Sequence, residues 1–177
     1  GPDDRGIYFD KSRRLGLGQT RLSILDVSPL GHQPMWSEER DICIVFNGEI
    51  YNHIEIREKL KDKYNFKSTT DTETIIYAYK EFGTKCFELF EGMFALAIYD
   101  FNLSELILCR DRLGKKPLYW FYDGKNLAFG SEIKAIMKYE HFKKDIDIQS
   151  FAKYLIYDYV PTPLTIWKNV FKLEPAT

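Results

Sequence analysis

The chain has 177 residues, of which 45% are hydrophobic and 29% charged, so it can form a packed core and is not expected to be disordered. The net charge of −1 offers no electrostatic basis for nucleic-acid binding, and no apolar run is long enough to cross a membrane. The three cysteines, Cys43, Cys86 and Cys109, form neither a disulfide framework nor a zinc pattern, which favours a cytoplasmic protein.

The first half of the chain mixes predicted strands with predicted helices. Asn52 is placed to cap a helix that runs to about Tyr64, with apolar residues along one face. Thr70 and Glu73 have the spacing of a capping box, which predicts a second helix ending at Gly83. Strands are predicted where β-branched and apolar residues cluster, at 7–9, 15–20 and 42–46, with a loop at 28–34.

In the second half, after a short helical piece at 85–90, the pattern changes to strands. They are predicted at 93–99, 106–109, 117–122 and 126–129. Because the connections are short, we expect an antiparallel meander and therefore an α+β layered fold. Helices follow at 131–138 and 148–159, with another short element at 164–172. Charged residues replace apolar ones near 143–147, which predicts a boundary between residues 1–143 and 144–177.

Residues on three predicted loops together suit a free amino acid. Asn47 and Gly48 end a predicted strand, and their amide N–H groups can hold a carbonyl oxygen that becomes negative during attack. Arg21 follows another strand and can bind a carboxylate through both oxygens, while Asp71 at a helix start can bind an ammonium group. The alternatives are an Asn-Gly hairpin turn, a surface arginine, and an aspartate that only stabilises the helix start.

Seven strings, in order along the chain, are similar to one known family. They are G-P-D at 1–3, R-L-S-I at 21–24, G-H-Q-P-M at 31–35, F-N-G-E-I-Y-N at 46–52, T-D-T-E at 70–73, R-D-R-L-G-K-K-P-L-Y at 110–119 and S-E-I-K-A at 131–135. Together they resemble the class II glutamine amidotransferase domain of glutamine-hydrolysing asparagine synthetases, in the N-terminal-nucleophile hydrolase superfamily. The string Y-V-P-T-P at 159–163 resembles the lead-in to that family's ATP-dependent synthetase domain.

The resemblance implies a four-layer αββα sandwich of antiparallel sheets, here expected to lack its N-terminal strands. It also implies a glutaminase whose N-terminal cysteine attacks the side-chain amide of glutamine and releases ammonia. The ammonia would convert aspartate to asparagine in the synthetase domain, leaving glutamate. Asn47 and Gly48 would form the oxyanion hole, and the implied substrate-binding residues are Arg21, Leu22, Ser23, Ile24, Leu25, Asn47, Gly48, Glu49 and Asp71.

The sequence departs from the family pattern at the nucleophile, because no cysteine stands at the N-terminus. We therefore expect a fragment that is inactive alone, with the nucleophile upstream of Gly1. No metal cluster or Gly-rich phosphate loop is visible, so no cofactor is expected here, whereas ATP and magnesium are expected in the absent synthetase domain. The expected partners are glutamine, that domain and, in the intact protein, a second copy in a homodimer, but neither nucleic acid nor membrane.

Two alternatives stay open at this stage. The same architecture serves equally for an enzyme that amidates another carboxylate, such as a sugar acid, because acceptor recognition would lie in the absent domain. A catalytically silent domain that only binds glutamine is the other alternative. The triplet Arg110-Asp111-Arg112 has no partner nucleophile, and we interpret it as a structural ion-pair cluster or an interface element.

Overall fold

The computed structural model describes residues 1–177, which divide into two units, residues 1–109 and 110–177. In chain order the strands and α-helices are β1 (Asp4–Asp10), β2 (Leu15–Arg21), β3 (Met35–Trp36), β4 (Ile42–Ile50), α1 (His53–Leu60), α2 (Asp71–Phe82), β5 (Gly92–Asp100), β6 (Glu105–Arg110), β7 (Tyr119–Tyr122), β8 (Leu127–Gly130), α3 (Ile133–Ile136), α4 (Ile148–Tyr157) and β9 (Val170–Lys172). Two 3-10 helices span Pro29–Gly31 and Gly83–Leu89.

The two main helices begin for different reasons. At α2 the Thr70 hydroxyl accepts a hydrogen bond from the Glu73 N–H at 3.1 Å, which confirms the predicted N-terminus. Asn52 stands at the N-cap position of α1, but its side chain makes no capping hydrogen bond, so that prediction was wrong. The Asn52 amide instead donates to the Leu89 carbonyl and accepts from the Glu91 N–H, both far along the chain.

The first unit has three layers around the pair β4 and β5, which run antiparallel along their whole length in a sheet of order β3-β4-β5-β6. One face of β4 carries Ile42, Ile44 and Phe46, which pack into a core with α1 and α2. The β1–β2 hairpin lies on the opposite face, where Tyr8 packs edge-on against Trp36 of β3. The layers are therefore helices, a four-stranded sheet and a two-stranded hairpin.

The predicted meander is interrupted between β6 and β7. β7 lies in a second sheet of order β8-β7-β9, and the pairs β7–β8 and β7–β9 are antiparallel. The residues after β6 form a loop because the buried Asp111 carboxylate accepts the N–H groups of Leu113, Lys115 and Lys116. Arg110 donates to three backbone carbonyls of the second unit, so this pair of side chains organises a loop through main-chain groups.

Candidate active site

One of the predicted oxyanion donors, the Gly48 N–H, is directed to the edge of β4 that faces away from β5. The N–H groups of Phe46 and Ile50 are both directed to this edge, since they donate to side chains outside the β4–β5 pair. Backbone amides of an antiparallel strand alternate in direction, and Gly48 lies two residues from each of them. The Gly48 N–H is therefore directed to the same edge, between two amides that side chains already hold.

Gly48 also permits the close approach of β4 and β5. A Cβ atom at this position would lie 2.1 Å from the Met93 carbonyl oxygen and 2.6 Å from the Phe94 Cα. Such contacts require backbone movement, so only glycine fits without displacing β5. The alternative interpretation, an Asn-Gly hairpin turn, is excluded, because Asn47 and Gly48 pair with Ala95 and Phe94 inside the β4–β5 ladder.

Arg21 and Asn47 lie on facing surfaces of the two β layers. Asn47 has the opposite orientation to Phe46 along β4, so its side chain is on the hairpin face of the sheet. The inward-facing residues of β2 are Leu15, Leu17, Gln19 and Arg21, which alternate with outward-facing ones. Gln19 donates to the Phe46 carbonyl at 2.9 Å, which brings this end of β2 to the Asn47 end of β4.

The Arg21 guanidinium is buried and partly committed to its own loop. Its Nη2 donates to the carbonyls of Leu25 and Asp26 at 2.8 and 2.7 Å. Gly31 makes room for it, since a Cβ there would lie 2.1 Å from Nη2. Arg21 lines a cleft of about 670 Å³ together with acidic, hydroxyl and apolar side chains and one imidazole, namely Asp3, Asp4, Ser23, Val27, Ser28, Pro29 and His32.

Asp71 is the first residue of α2, and only 5% of its surface is exposed. Its Oδ2 accepts the Ile50 N–H at 2.9 Å, which attaches the start of α2 to the edge of β4 that faces away from β5. Burial raises the pKa of Asp71, and hydrogen bonds from backbone N–H groups oppose that shift. His53 is buried with an Nδ1 that has no hydrogen-bond partner, and the charges of Asp71 and His53 influence each other.

Two residues that the sequence analysis did not identify connect these parts. The Asp26 carboxylate accepts hydrogen bonds from Ser28 and from the Thr69 N–H at 2.8 Å, and these bonds lower the pKa of Asp26 to about 2. Arg57 of α1 donates to the carbonyls of Ser68 and Thr70 at 2.6 and 2.8 Å. Asp26 thus joins the loop that binds the Arg21 guanidinium to the segment that precedes Asp71.

The remaining predicted substrate residues occupy the loop after β2 and the end of β4. The side chains of Leu22 and Ile24 are exposed, and the Ser23 N–H donates to the Asp3 carboxylate at 2.7 Å. Leu25 contributes its carbonyl to Arg21, as described above, and Glu49 lies opposite Met93 in the β4–β5 ladder. That Arg21, Asn47, Gly48 and Asp71 surround one ligand stays a prediction, supported by hydrogen bonds that join β2 to β4 and α2 to β4.

The three cysteines of the chain are buried and are not paired in disulfides. Burial raises the pKa of Cys43 to about 12, and it also raises the pKa of Cys86. A nucleophilic cysteine needs an accessible thiolate, so none of these environments suits one. No group of three or more His, Cys, Asp or Glu side chains in residues 1–177 is arranged to hold a metal ion. No helix has the length and apolarity required to span a bilayer.

Comparison with known proteins identifies the family. The sequence model of the glutamine amidotransferase domain family matches residues 1–177. The chain belongs to this family. The domain is 40% identical over 194 residues to the putative glutamine-hydrolysing asparagine synthetase 2 of Methanocaldococcus jannaschii, covering 98% of this chain and 37% of that protein. It is 38% identical over 178 residues to the glutamine-hydrolysing asparagine synthetase 1 of Bacillus subtilis, covering all of this chain and 28% of that protein.

The glutamine amidotransferase domain also resembles a fungal protein and a solved structure. It is 38% identical over 139 residues to the amidase chry2 of Gibberella zeae, covering 78% of this chain and 21% of that protein. It superposes on the glutamine phosphoribosylpyrophosphate amidotransferase of B. subtilis with a TM-score of 0.59 and 21% identity over 69% of this chain and 28% of that one. This likeness and the antiparallel sheets confirm the α+β sandwich. The chain thus spans at most 37% of the length of these relatives.

Proposed function

We propose that this domain binds L-glutamine and supports release of ammonia from its side-chain amide, as the donor part of an ATP-dependent asparagine synthetase. That enzyme would convert aspartate and glutamine to asparagine and glutamate. The proposal is supported by the family and by the names of the two prokaryotic relatives, which match nearly the whole chain. The observation that carries it is the edge of β4, where the Gly48 N–H is directed between the held amides of Phe46 and Ile50.

Each residue has a defined part in this proposal. The Arg21 guanidinium donates to the Leu25 and Asp26 carbonyls through Nη2. Its Nε and Nη1 groups bind the α-carboxylate. The Asp71 carboxylate binds the α-ammonium group, and the ammonium charge favours its ionised form. The Asn47 side chain and the Gly48 N–H bind the carbonyl oxygen as it becomes negative. Leu22, Ser23, Ile24, Leu25 and Glu49 complete the walls, partly through main-chain atoms.

The nucleophile is proposed to come from outside these 177 residues. All three thiols of the chain are buried, and burial raises the pKa of Cys43 and Cys86, whereas attack on an amide carbon requires an accessible thiolate. When a thiolate attacks, the amide nitrogen leaves as ammonia after taking a proton, and water then cleaves the thioester to give glutamate. What this chain contributes is binding of both charged ends of glutamine and stabilisation of the oxyanion.

ATP and magnesium are proposed to bind in a synthetase domain and not in this chain. Residues 1–177 contain no group of three or more His, Cys, Asp or Glu side chains that could hold a metal ion. The synthetase domain is also the proposed partner of α4. Ile148, Leu155 and Ile156 of this helix are each about two-thirds exposed or more, which is typical of a helix that packs inside a larger protein. The matched relatives are long enough to supply such a domain.

Binding of L-glutamine to this 177-residue chain tests the proposal. We expect calorimetry to detect binding of L-glutamine, weaker binding of L-norvaline, which lacks the carboxamide, and none of D-glutamine. Replacement of Arg21 by Met should abolish binding of both L-amino acids, whereas the same change at the exposed Arg5 should leave it unchanged. Absence of L-glutamine binding by the folded chain would contradict the proposal. We expect no glutaminase turnover from this chain alone, since it holds no suitable thiol.

A different acceptor is the second candidate, and the similarity to the fungal amidase favours it. In that case this domain would supply ammonia for another carboxylate, such as a sugar acid, with an unchanged glutamine site. Amidation assays of the intact protein with aspartate and with other carboxylates would separate the two. A cytoplasmic location is supported by the unpaired cysteines. Homodimer formation stays a prediction that light scattering of the intact protein would check.

A further inference from the structure

The edge of β4 that carries the Gly48 N–H lacks a neighbouring strand along most of its length. β3 contributes only two residues, Met35 opposite Ile44 and Trp36 opposite Cys43. Beyond them, the polar groups of Phe46 are satisfied by two glutamine side chains. The Phe46 N–H donates to Gln33 Oε1 at 2.7 Å, and the Phe46 carbonyl accepts from Gln19 Nε2 at 2.9 Å.

The Gln33 side chain is buried and forms hydrogen bonds at both its oxygen and its nitrogen. It is 5% exposed, and its Nε2 donates to the Thr72 hydroxyl at 3.4 Å, next to Asp71 in α2. Strand β1 packs directly on its backbone, because a Cβ at Gly6 would lie 2.0 Å from the Gln33 carbonyl oxygen. Gln33 therefore bridges the strand that carries the oxyanion residues and the helix that begins with Asp71.

We propose that Gln33 and Gln19 are positioning residues for the oxyanion site, defined as the Asn47 side chain and the Gly48 N–H. The Phe46 carbonyl and the Asn47 N–H belong to one peptide plane, and Gln19 holds that plane while Gln33 holds the preceding one. Together they fix the start of the Asn47–Gly48 segment without touching the ligand. Preorganised donors stabilise developing charge because they need no rearrangement during reaction. This inference rests on the proposed function, since it assumes that a glutamine carbonyl binds there.

A purely structural role makes a different prediction from a positioning role. If the two glutamines only satisfy a buried strand edge, their loss lowers stability and weakens every ligand of the site equally. If they position the oxyanion site, their loss weakens L-glutamine but leaves L-norvaline almost unaffected. Both ligands have the same α-carboxylate and α-ammonium group, so the ratio of their dissociation constants isolates the carboxamide.

The experiment measures both dissociation constants by NMR titration of the wild-type chain and of Gln33→Met, Gln19→Met and Gln149→Met. Methionine keeps the side-chain length, and Gln149 is an exposed residue of α4 that serves as the matched control. For Gln33→Met we expect L-glutamine binding to weaken about tenfold and L-norvaline binding to change less than about twofold. The Gly48 amide resonance should shift in both test variants and stay in place in the control.

Each outcome decides the inference. If the ratio of the L-glutamine and L-norvaline dissociation constants is unchanged in both test variants, the inference is overturned and the proposed function is left intact. Failure of the wild-type chain to bind L-glutamine would refute the proposed function and this inference with it. Should Gln33→Met not fold, Gln19→Met gives the answer alone, because half-buried Gln19 acts on the next peptide plane of the same strand.

Discussion

Replacement of Asp71 by Asn separates binding of an ammonium group from stabilisation of a helix. Asparagine keeps the shape of the side chain and an oxygen that can accept the Ile50 N–H, but it removes the negative charge. Asp71 is 5% exposed, so its interaction with a ligand ammonium group is little screened by water. Removing one partner of a buried charge pair costs about 2–5 kcal/mol, so we expect L-glutamine to bind roughly 100-fold less tightly.

The same substitution should not destabilise the ligand-free protein. Burial raises the pKa of Asp71 above its ordinary value of 3.8, so the folded chain holds this proton more tightly than the unfolded chain. Its contribution to the free energy of unfolding is therefore fully present below 3.8 and is lost as pH rises through the raised value. The Asp71→Asn side chain does not titrate, so this variant does not lose that contribution. Its free energy of unfolding relative to wild type should therefore increase as pH rises from 3.8 through the raised pKa of Asp71.

Two measurements check the reasoning, namely calorimetric binding at pH 7 and urea unfolding between pH 3 and 7. A folded Asp71→Asn variant that binds L-glutamine as tightly as wild type would refute the assigned role. A variant that is less stable than wild type at neutral pH would instead indicate that the carboxylate mainly stabilises the start of α2 through the helix dipole. Thr70, which caps the helix, is unchanged in either case.

Three further outcomes are expected. Gly48→Ala should lose about 2–4 kcal/mol in urea unfolding, because its Cβ would meet the Met93 carbonyl. Gly16→Ala is the control, since Gly16 is exposed in β2 and a Cβ there would lie 3.7 Å from the nearest side-chain atom, so it should change stability by less than about 0.5 kcal/mol; equal losses would contradict the close approach. Hydrogen bonds donated by Ser28 and Thr69 lower the pKa of the Asp26 carboxyl group to about 2. Asp26→Asn should therefore be less stable than wild type above pH 3.8, and the difference in unfolding free energy should vanish as pH falls through about 2; a difference that does not change with pH would count against this. The three cysteines should resist a thiol reagent at pH 8 until urea unfolds the chain, and rapid labelling of the native state would disprove their burial.

Local patterns in the sequence were sufficient for the elements whose interactions are local. The capping residue Thr70, which accepts, and the Glu73 N–H, which donates, are three positions apart, so the sequence contains both halves of the contact. The apolar run from Ile42 to Phe46 likewise identifies a buried strand, and all five of its residues are buried. The family resemblance named the candidate site residues, but it gave no account of how they are held.

Contacts between distant residues were not predictable in the same way. Asn52 was expected to cap α1, yet its side chain binds main-chain groups more than 35 residues away. Nothing near Gln33 indicates that it would complete the edge of β4, because the segment has the composition of a turn. The same holds for the separation of β6 from β7, which depends on how Asp111 folds the intervening loop.

The sequence by itself determined the alternation of helices and strands, the apolar faces and the residue types available for an amino-acid site. Only the tertiary structure decided which amides of β4 are held by side chains and that Asp71 is joined to that strand. The physical reason is that a helix cap is satisfied within a few residues. A polar group at a strand edge is instead satisfied by whichever side chain the packing of the layers brings to it.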